Sequence, residues 1–379
     1  SRTIHCDGRD ILYFYTLFPT MRPLAPPRGR GSRLNPDNRF AEWQRDTSDD
    51  GWADGAAPEA ESGKGPATTL ILDQSRSVIV RNQSPDVPFT QSINPYRGCE
   101  HGCSYCFARP GHAYLGLSPG LDFETKIVWK PDAPEILRKE LAAPGYRCAP
   151  IALGISTDGW QPVERRLGLS RRLLEVLAET RHPVSIVTKS ALIERDADLL
   201  ADMARDHLVQ VMFSITTLDP LLARRLEPRA ASPARRLAAM DALHRAGVPV
   251  GVLFAPLIPA LNDHELERVL EAARAAGAES AGYVLLRLPL ELKALFEDWL
   301  HSHFPDRATH VLSLLRQLRG GQLNDSRFGH RMRGQGVFAD LYRQRMQRTC
   351  ERLGFQRTHR PLNTEVFRPP PRGPQMNLF

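Results

Sequence analysis

Short apolar runs alternate with amphipathic helical stretches over residues 150–288, and this alternation limits the possible folds more than any other feature of the chain. The runs are β-branched or otherwise apolar, as buried parallel strands are. They are "PIALGIS" (150–156), "VSIVTK" (184–189), "VQVMFSIT" (209–216), "VPVGVLFAPL" (248–257) and "AGYVLLRL" (281–288). Strand-then-helix units of roughly 30 residues predict right-handed βαβ crossovers.

The intervening stretches have the period of helices. They are "SRRLLEVLAET", "RDADLLADMAR", "SPARRLAAMDALHRAG" and "DHELERVLEAARAAG". Ser232 and Asn262 are predicted N-caps, and a glycine follows each of the last two helices. A further strand predicted at 122–129 ("DFETKIVW") gives about six units, fewer than the eight of a closed barrel. The pattern predicts an α/β fold, either a partial (β/α)6 barrel or a curved open sheet, with its site at the carboxyl ends of the strands.

The segments outside the repeat differ in composition. Residues 22–66 are rich in Pro, Gly, Asp and Glu and have too few apolar groups to form a core. Met21 looks like a natural start, so residues 1–20 are interpreted as an upstream extension outside the fold. The predicted organisation is a disordered N-terminal segment (1–66), a core (67–305), a basic C-terminal extension (306–368) and a flexible tail (369–379).

Three of the six cysteines lie in "NPYRGCEHGCSYCFARPGH", residues 94–112, with the spacing Cys99-x3-Cys103-x2-Cys106. The chain has no apolar run of the roughly 18 residues that a membrane span needs, and its start lacks the features of a secretory signal. We therefore expect a cytoplasmic protein, in which clustered thiols indicate metal or redox chemistry rather than disulfides.

Three interpretations of this loop differ in what the sulfur atoms bind. A zinc site would need a fourth ligand, for which His101 or His112 is available. Unrelated buried thiols would not explain three cysteines among glycine and polar residues. A cubane iron–sulfur cluster held by three thiolates leaves one iron without a protein ligand, so that a small molecule can bind there.

With Phe107 directly after Cys106, the loop resembles the signature of the radical S-adenosylmethionine (radical SAM) superfamily. The resemblance implies a radical SAM type of partial barrel, a 4Fe–4S cluster on Cys99, Cys103 and Cys106, and SAM as the second cofactor. It also implies an electron donor such as flavodoxin or ferredoxin. Over roughly residues 69–355 the chain is similar to the spore photoproduct lyase-like, or DNA repair photolyase-like, branch of that superfamily. The segments that carry this similarity include "STDGWQPVE", "VTKS", "SITTLDP" and "PLIPALND".

The same resemblance implies a set of SAM contacts at the strand ends. Ser156 and Thr157 match a hydroxyl that contacts SAM, Lys189 matches the lysine on the SAM carboxylate, and Ser214 matches a serine of the next strand. Phe107 is expected to flank the adenine. Asp158 and Glu164 are expected to help shape the site.

The chain departs from the lyase at the position of its hydrogen-donor cysteine, which is Ile155 here. Ile155 has no S–H bond to donate. Cys148, seven residues earlier, is expected at the opposite end of the strand as an inert core thiol. The resemblance therefore implies the cofactor chemistry but not the thymine-dimer lyase reaction, and it leaves the catalytic residues and the substrate unassigned.

The end of the chain is basic. Residues 311–379 contain thirteen arginines, no lysine and four acids, which favours a polyanion such as nucleic acid as a partner. The alternative is that the many arginines reflect a general use of arginine in place of lysine, as in proteins from G+C-rich genomes, and not a binding site. The final "QMNLF" resembles the peptide by which bacterial repair proteins dock on the sliding clamp, through Gln375, Leu378 and Phe379.

These observations support three functions. The first is a radical SAM enzyme that acts on a nucleic acid, such as a damaged or modified base. The second is the same radical chemistry on a protein or metabolite. The third is a non-catalytic, metal-stabilised DNA-binding protein, for which six βα units are more scaffold than a zinc module requires.

Overall fold

The computed structural model describes residues 29–41, 66–356 and 361–371. The expected upstream extension at 1–20 and the clamp-like residues Gln375, Leu378 and Phe379 lie outside the described residues. Within the described ranges, no helix combines the length and the apolar character needed to cross a bilayer.

A seven-stranded sheet organises the fold, and six of its strands run parallel. The strand order is β10-β9-β8-β7-β6-β3-β2, with only β2 antiparallel to its neighbour. The two edges do not pair with each other, so the architecture is a partial barrel. The strands are β1 (Thr69–Leu72), β2 (Val80–Arg81), β3 (Gln91–Ile93), β4 (Tyr96–Arg97), β5 (Lys126–Trp129), β6 (Ile151–Leu153), β7 (Val184–Thr188), β8 (Val209–Ser214), β9 (Val250–Leu257) and β10 (Ser280–Leu285).

The helices connect successive parallel strands and cover the sheet. They are α1 (Asp122–Thr125), α2 (Ala133–Leu141), α3 (Glu164–Leu167), α4 (Leu169–Glu179), α5 (Ala197–Arg205), α6 (Pro220–Leu226), α7 (Pro233–Arg245), α8 (Leu266–Ala275), α9 (Leu292–His303), α10 (Pro305–Leu318) and α11 (Val337–Leu353). Short 3-10 helices lie at Arg109–Leu115, Ala191–Asp196 and Asp263–Glu265.

The five strands predicted from apolar runs are confirmed as β6 to β10, but the strand predicted at 122–129 is wrong in two respects. Its first half is the helix α1, and its second half, β5, pairs with β1 and β4 in a separate three-stranded sheet. The sixth parallel strand of the main sheet is β3 instead, in parallel register with β6. With three residues, "QSI", β3 is too short and too polar to produce an apolar pattern.

The two predicted helix caps have different outcomes. Ser232 caps α7, because its hydroxyl accepts a hydrogen bond from the backbone N–H of Arg235. Asn262 makes no cap: its side-chain oxygen accepts from Ile258 N (2.7 Å), and its amide donates to the carbonyls of Thr216 and Pro256. Asn262 therefore joins the ends of β8 and β9, and a 3-10 turn precedes α8.

The buried apolar residues form two clusters. The larger fills the space between the strands and helices α2, α4, α5, α7, α8 and α11. The smaller joins α6, α9 and α10 to the cysteine loop, and it contains Tyr105, Leu226, Phe296 and Trp299. This second cluster holds the loop against the carboxyl ends of the strands and removes it from water.

The predicted disordered segment 1–66 is corrected at residues 29–41, which are ordered and packed. Arg30 is 7% exposed and donates to the carbonyl oxygen of Glu124 (2.7 Å). The backbone N–H groups of Gly31 and Ser32 donate to the carboxylate of Glu124 at 2.8 and 2.9 Å. The low apolar content of this segment hid its order, because backbone hydrogen bonds to a buried acid hold it rather than apolar burial. The other residues of the predicted segment, apart from Pro66, lie outside the described ranges.

The basic extension crosses the gap between the two edges of the sheet. Leu285 N, at the end of β10, donates to Met332 O (2.9 Å), so residues near 332 extend that edge. Asp86, in the connection between β2 and β3, forms an ion pair with Arg331 and accepts from Gly329 N (2.7 Å). We name this contact between residues 84–86 and 329–331 the edge clasp. The extension is therefore an integral part of the core.

We expect His182 to make the fold acid-sensitive. Burial lowers the pKa of His182 to about 4, and its ring is held by Pro183 O (3.0 Å) and Tyr146 OH (2.8 Å). The unfolded chain has the higher pKa, about 6.5, so stability is complete above that value and falls as the pH drops towards 4. Between pH 7.5 and 5 this single group removes about 2 kcal/mol.

The test is urea unfolding of the wild type and His182→Gln at both pH values. The glutamine variant should lose about 2 kcal/mol less than the wild type over this pH interval. Equal losses in the two proteins would show that His182 does not control the acid response.

Candidate active site

The cysteine loop begins directly after β4 and is fixed through its backbone. Cys99 N donates to Phe123 O (2.9 Å), and Ser104 N donates to Leu226 O at the end of α6 (2.9 Å). Cys99 and Cys103 are buried, while Cys106 is partly exposed. The loop therefore presents one sulfur towards solvent and two towards the interior.

A buried ion pair between Arg109 and Glu124 sets the shape of this loop. Arg109 is 1% exposed and donates to the carbonyl oxygens of Cys103 (2.9 Å) and Gly102 (3.2 Å) as well as to the Glu124 carboxylate. Glu124 is fully buried. A planar guanidinium suits this role, because it can bind several acceptors in fixed directions.

Gly102 shows how closely the loop fits its surroundings. Its φ of +67° is a left-handed conformation that favours glycine. A β-carbon at this position would lie 2.6 Å from the Glu124 carboxylate. Any side chain here would separate the loop from the acid that anchors it.

The three thiols lie close enough to influence one another electrostatically. Burial raises the pKa of Cys99, and the charges of Asp158, Cys103 and Cys106 raise it further. The backbone of Asp158 has the opposite, pKa-lowering effect. Burial and Glu227 raise the pKa of Cys103 to about 12, although Lys189 opposes them. Thiolates are unfavourable here without a positively charged group, which is the condition that a bound metal centre satisfies.

The donor set fits a cubane cluster better than a single zinc ion. In the described part of the chain, no three His, Cys, Asp or Glu side chains are grouped to hold one metal ion. Cubane ligands bind different irons and need no such grouping. The candidate zinc histidines each contact another group: His112 Nε2 lies 3.1 Å from Lys126 O, and His101 Nδ1 lies 3.5 Å from the Asp158 carboxylate.

A second buried charge network faces Cys103 from the ends of β7 and β8. Glu227 forms an ion pair with Arg236 and accepts hydrogen bonds from Tyr105 and from Thr216 (3.0 Å). Burial would raise the pKa of Glu227, but Arg236 and Lys189 outweigh it and hold the pKa below its usual value.

Lys189 adds a further positive charge to this network. Its ammonium lies 5.9 Å from the centre of the Tyr105 ring and has no hydrogen-bond partner among the described residues. Burial lowers its pKa, but Cys103 and Glu227 overcome this effect and raise it. Lys189 is therefore a protonated cation at the end of β7, beside the cysteine loop.

The hydroxyl groups predicted to contact SAM are not equally available. Ser156 is exposed, and Asn94 accepts a hydrogen bond from its backbone N–H (2.8 Å). The Thr157 hydroxyl is buried and donates to Tyr96 O (2.6 Å). Ser214 is 2% exposed and donates to Ala255 O (3.0 Å). The Ser156 hydroxyl is thus the most open of the three, while Thr157 stabilises the strand end.

Phe107 lies at the open side of the loop, 42% exposed. The guanidinium of Arg287, at the end of β10, lies 5.3 Å from the centre of its ring. Arg287 Nε is buried without a hydrogen-bond partner among the described residues, and Nη1 has only the sulfur of Met332 at 3.6 Å. This arginine retains most of its capacity to bind an acceptor.

The remaining predicted positions divide between support for the site and support for the fold. Asp158 accepts from Lys189 N (2.7 Å) and Thr188 Oγ1 (2.9 Å), which fixes the end of β7. Glu164 is fully buried and accepts from the first N–H groups of α4 and from the Tyr96 hydroxyl, so it joins the start of that helix to β4, the strand that leads into the cysteine loop.

Cys148 and Ile155 lie at opposite ends of β6. Cys148 precedes the strand and is half-buried, and burial raises its pKa to about 11. Ile155 follows the strand, directly before Ser156, and is partly buried. The predicted position of Cys148, away from the cysteine loop, is confirmed.

Sequence reasoning missed the residues that hold the loop and the lysine in place. Arg109, Glu124, Glu227 and Arg236 are four charged residues that are at most 2% exposed. In the sequence, each of them is an ordinary charged residue within an apolar or helical stretch. Only the contacts in the folded protein distinguish such a residue from a charged residue at the surface.

Comparison with known proteins identifies related chains. The model of the family described as the radical SAM superfamily matches residues 93–273. Uncharacterized protein Rv2578c of Mycobacterium tuberculosis is 35% identical over 282 residues, which are 74% of this chain and 79% of that protein. Uncharacterized protein MJ0683 of Methanocaldococcus jannaschii is 27% identical over 173 residues, 46% of this chain and 62% of that protein.

Among solved structures, variants of spore photoproduct lyase share the fold. One such variant superposes with a TM-score of 0.54 at 17% identity, covering 75% of this chain and 79% of the lyase. Another, solved with bound AdoMet and dinucleoside spore photoproduct, gives the same values.

We expect the Arg109–Glu124 pair to be necessary for a stable cysteine loop. Arg109→Met leaves a buried carboxylate without its cation, which costs about 3–5 kcal/mol. The variant should unfold at a lower urea concentration and retain less iron after anaerobic reconstitution.

Arg138→Met is the matched control. Arg138 pairs with Glu179 at the surface, where the two side chains are 41% and 57% exposed, so its loss should cost at most about 1 kcal/mol. Equal destabilisation by both substitutions would show that the buried pair has no special role.

Proposed function

We propose that this chain, which belongs to the radical SAM superfamily, cleaves SAM at the cysteine loop. It would then remove a hydrogen atom from a substrate bound at the open end of the sheet. Enzymes of this superfamily use a 4Fe–4S cluster and SAM. The observation that carries the proposal is a single anchored loop that holds three free thiols, two of them buried (Cys99 and Cys103) and one partly exposed (Cys106).

Each part of the loop has a distinct role in this proposal. Cys99, Cys103 and Cys106 would hold the cluster, and one iron would remain open to the amino and carboxylate groups of SAM. When bound, the cluster and SAM supply a one-electron cleavage of the sulfonium that gives methionine and a 5′-deoxyadenosyl radical. The protein binds, orients and shields the reactants.

The charges beside the loop support the binding of a zwitterionic ligand. Lys189, protonated and without a hydrogen-bond partner in the described ranges, would pair with the SAM carboxylate. Ser156, with its open hydroxyl, and Phe107, with its exposed ring, would contact the ribose and the adenine. Ser214 would contribute only through its remaining acceptor capacity, and Thr157 would act through the backbone of the strand end.

The apolar cluster of α6, α9 and α10 would exclude water from the reacting end. It packs directly on Cys103 and Tyr105. A carbon radical reacts with many available groups, so a closed site limits side reactions.

We further propose a nucleic acid as the substrate class. Arg287, whose guanidinium lies over the Phe107 ring and has no ion pair among the described residues, would bind a phosphate next to an exposed aromatic ring. Many arginines of the basic extension are weaker candidates, because they already pair with acids, as Arg331 does with Asp86 and Arg345 with Glu267. The runner-up is an anionic protein segment or metabolite at the same arginine.

Two context predictions accompany this proposal. A reducing compartment is required by the chemistry, and we propose the cytoplasm. Docking on a sliding clamp through Gln375, Leu378 and Phe379 remains a prediction from sequence. The third hypothesis, a non-catalytic metal-stabilised module, accounts neither for the six-strand scaffold nor for the charges around Lys189.

Anaerobic reconstitution should give a brown protein with about four irons per chain that cleaves SAM when reduced with dithionite. Cys103→Ala should abolish cleavage, since it removes a cluster ligand. Cys148→Ala, which removes a half-buried thiol at the opposite end of β6, should retain it. Products are measured by chromatography of methionine and 5′-deoxyadenosine, and the reverse pattern would refute the ligand assignment.

The substrate class is tested by the salt dependence of binding. Single-stranded and duplex oligonucleotides should bind the wild type with log K falling linearly against log salt, and Arg287→Gln should reduce that slope by about one phosphate contact. Arg307→Gln, which changes an arginine of α10, is the control. A flat salt response of the wild type would favour the metabolite or protein alternative.

A further inference from the structure

A trough lined by arginines lies beside His101 of the cysteine loop. It encloses about 450 Å³ between the loops that follow β6, β7 and β8. We name it the arginine trough, and its defining residues are His101, Pro162, Arg165, Arg195, Arg229 and Arg235. A neighbouring hollow shares Pro162 and Arg229 and adds Arg166.

The charges that this trough shows to solvent are mainly positive. Arg165 and Arg166 are exposed and have no ion pair among the described residues. Arg195 pairs with Glu164 and Asp196, but both acids are fully buried beneath it. Glu194, which pairs with Arg235, is the one acid among the lining residues. Arg229 pairs at 3.3 Å with Glu100, a largely buried acid of the neighbouring hollow.

The cysteine loop contributes His101 to the lining of the trough. His101 stands two residues from Cys99 and two from Cys103, and its carbonyl accepts from Arg229 N (3.2 Å). Its ring lies 3.5 Å from the Asp158 carboxylate. The trough therefore contacts the loop between two of the sulfur ligands.

We propose that the arginine trough is the docking surface for an acidic one-electron carrier protein. The inference rests on the proposed function, since only a reductive reaction needs such a carrier. The carrier's flavin hydroquinone, or its reduced iron–sulfur centre, loses one electron, and the group held by Cys99, Cys103 and Cys106 gains it.

Two features favour an acidic protein over a nucleic acid at this surface. Electron transfer slows steeply with distance, and the trough is lined by His101, which lies between Cys99 and Cys103 in the cysteine loop. The trough also shares no lining residue with the Phe107–Arg287 pair, so a carrier and a substrate can bind at the same time. Complementary charge accelerates association and orients the encounter.

The test uses the full chain, reconstituted anaerobically, and a charge reversal at the two unpaired arginines, Arg165→Glu with Arg166→Glu. The control, Arg205→Glu with Arg245→Glu, changes the net charge equally at the carboxyl ends of α5 and α7, where both arginines are exposed. Affinity for a purified acidic bacterial flavodoxin and a bacterial ferredoxin is measured by biolayer interferometry at low and high salt. SAM cleavage is measured with dithionite and with the photoreduced carriers.

The trough variant should bind the carrier about tenfold more weakly at low salt and lose carrier-driven cleavage in proportion. It should keep dithionite-driven cleavage, while the control keeps both. Unchanged carrier affinity, or no binding of either carrier by the wild type, would overturn the proposal. The proposal would also be overturned if the trough variant lost affinity for single-stranded DNA and kept its affinity for the carrier. Failure of the wild type to cleave SAM with dithionite would instead overturn the proposed function, because the binding measurement does not depend on cleavage.

Discussion

The ion pair between Arg109 and Glu124 is the contact on which the rest of the site depends. Both side chains are buried, and together they bind the backbone of the cysteine loop, the start of α1 and residues 31–32. An isolated charge in this position would be strongly unfavourable, so each partner is needed by the other. By binding the carbonyl groups of Gly102 and Cys103, this pair fixes the backbone of the loop that carries the three cysteines.

The second charge network has the opposite design, since it leaves one group unsatisfied. Glu227 is saturated by Arg236, Tyr105 and Thr216, whereas the Lys189 ammonium has no hydrogen-bond partner in the described part of the chain. The surplus positive charge lies beside Cys103 and favours an anionic ligand group there. Within this network, Glu227 and its partners stabilise the fold, and the neighbouring Lys189 is available to bind a ligand.

Sequence patterns predicted the elements whose signal is local. The long apolar strands, the amphipathic helices and the cysteine spacing all repeat at intervals that a short window reveals. The elements missed were those defined by distant partners: β3, whose three residues gain their place from β6, and Glu124, whose importance depends on Arg109 and Gly31. Asn262 has the right chemistry for a helix cap, but the strand ends use all of its side-chain hydrogen-bonding groups. Composition also failed at residues 29–41, because a chain with little apolar surface can be ordered by backbone hydrogen bonds.

The edge clasp has a consequence for synthesis of the protein. Asp86 and Arg331 lie 245 positions apart, so this contact closes one of the longest loops in the fold. Chains emerge from the ribosome from the N-terminus onwards, and domains fold as units when their last required segment is available. The six parallel strands are all translated before Arg331 is, so a nascent chain passes through a stage in which both borders of its sheet are unjoined. Exposed strand borders are where chains associate wrongly, and we expect this enzyme to be most vulnerable to aggregation during that interval.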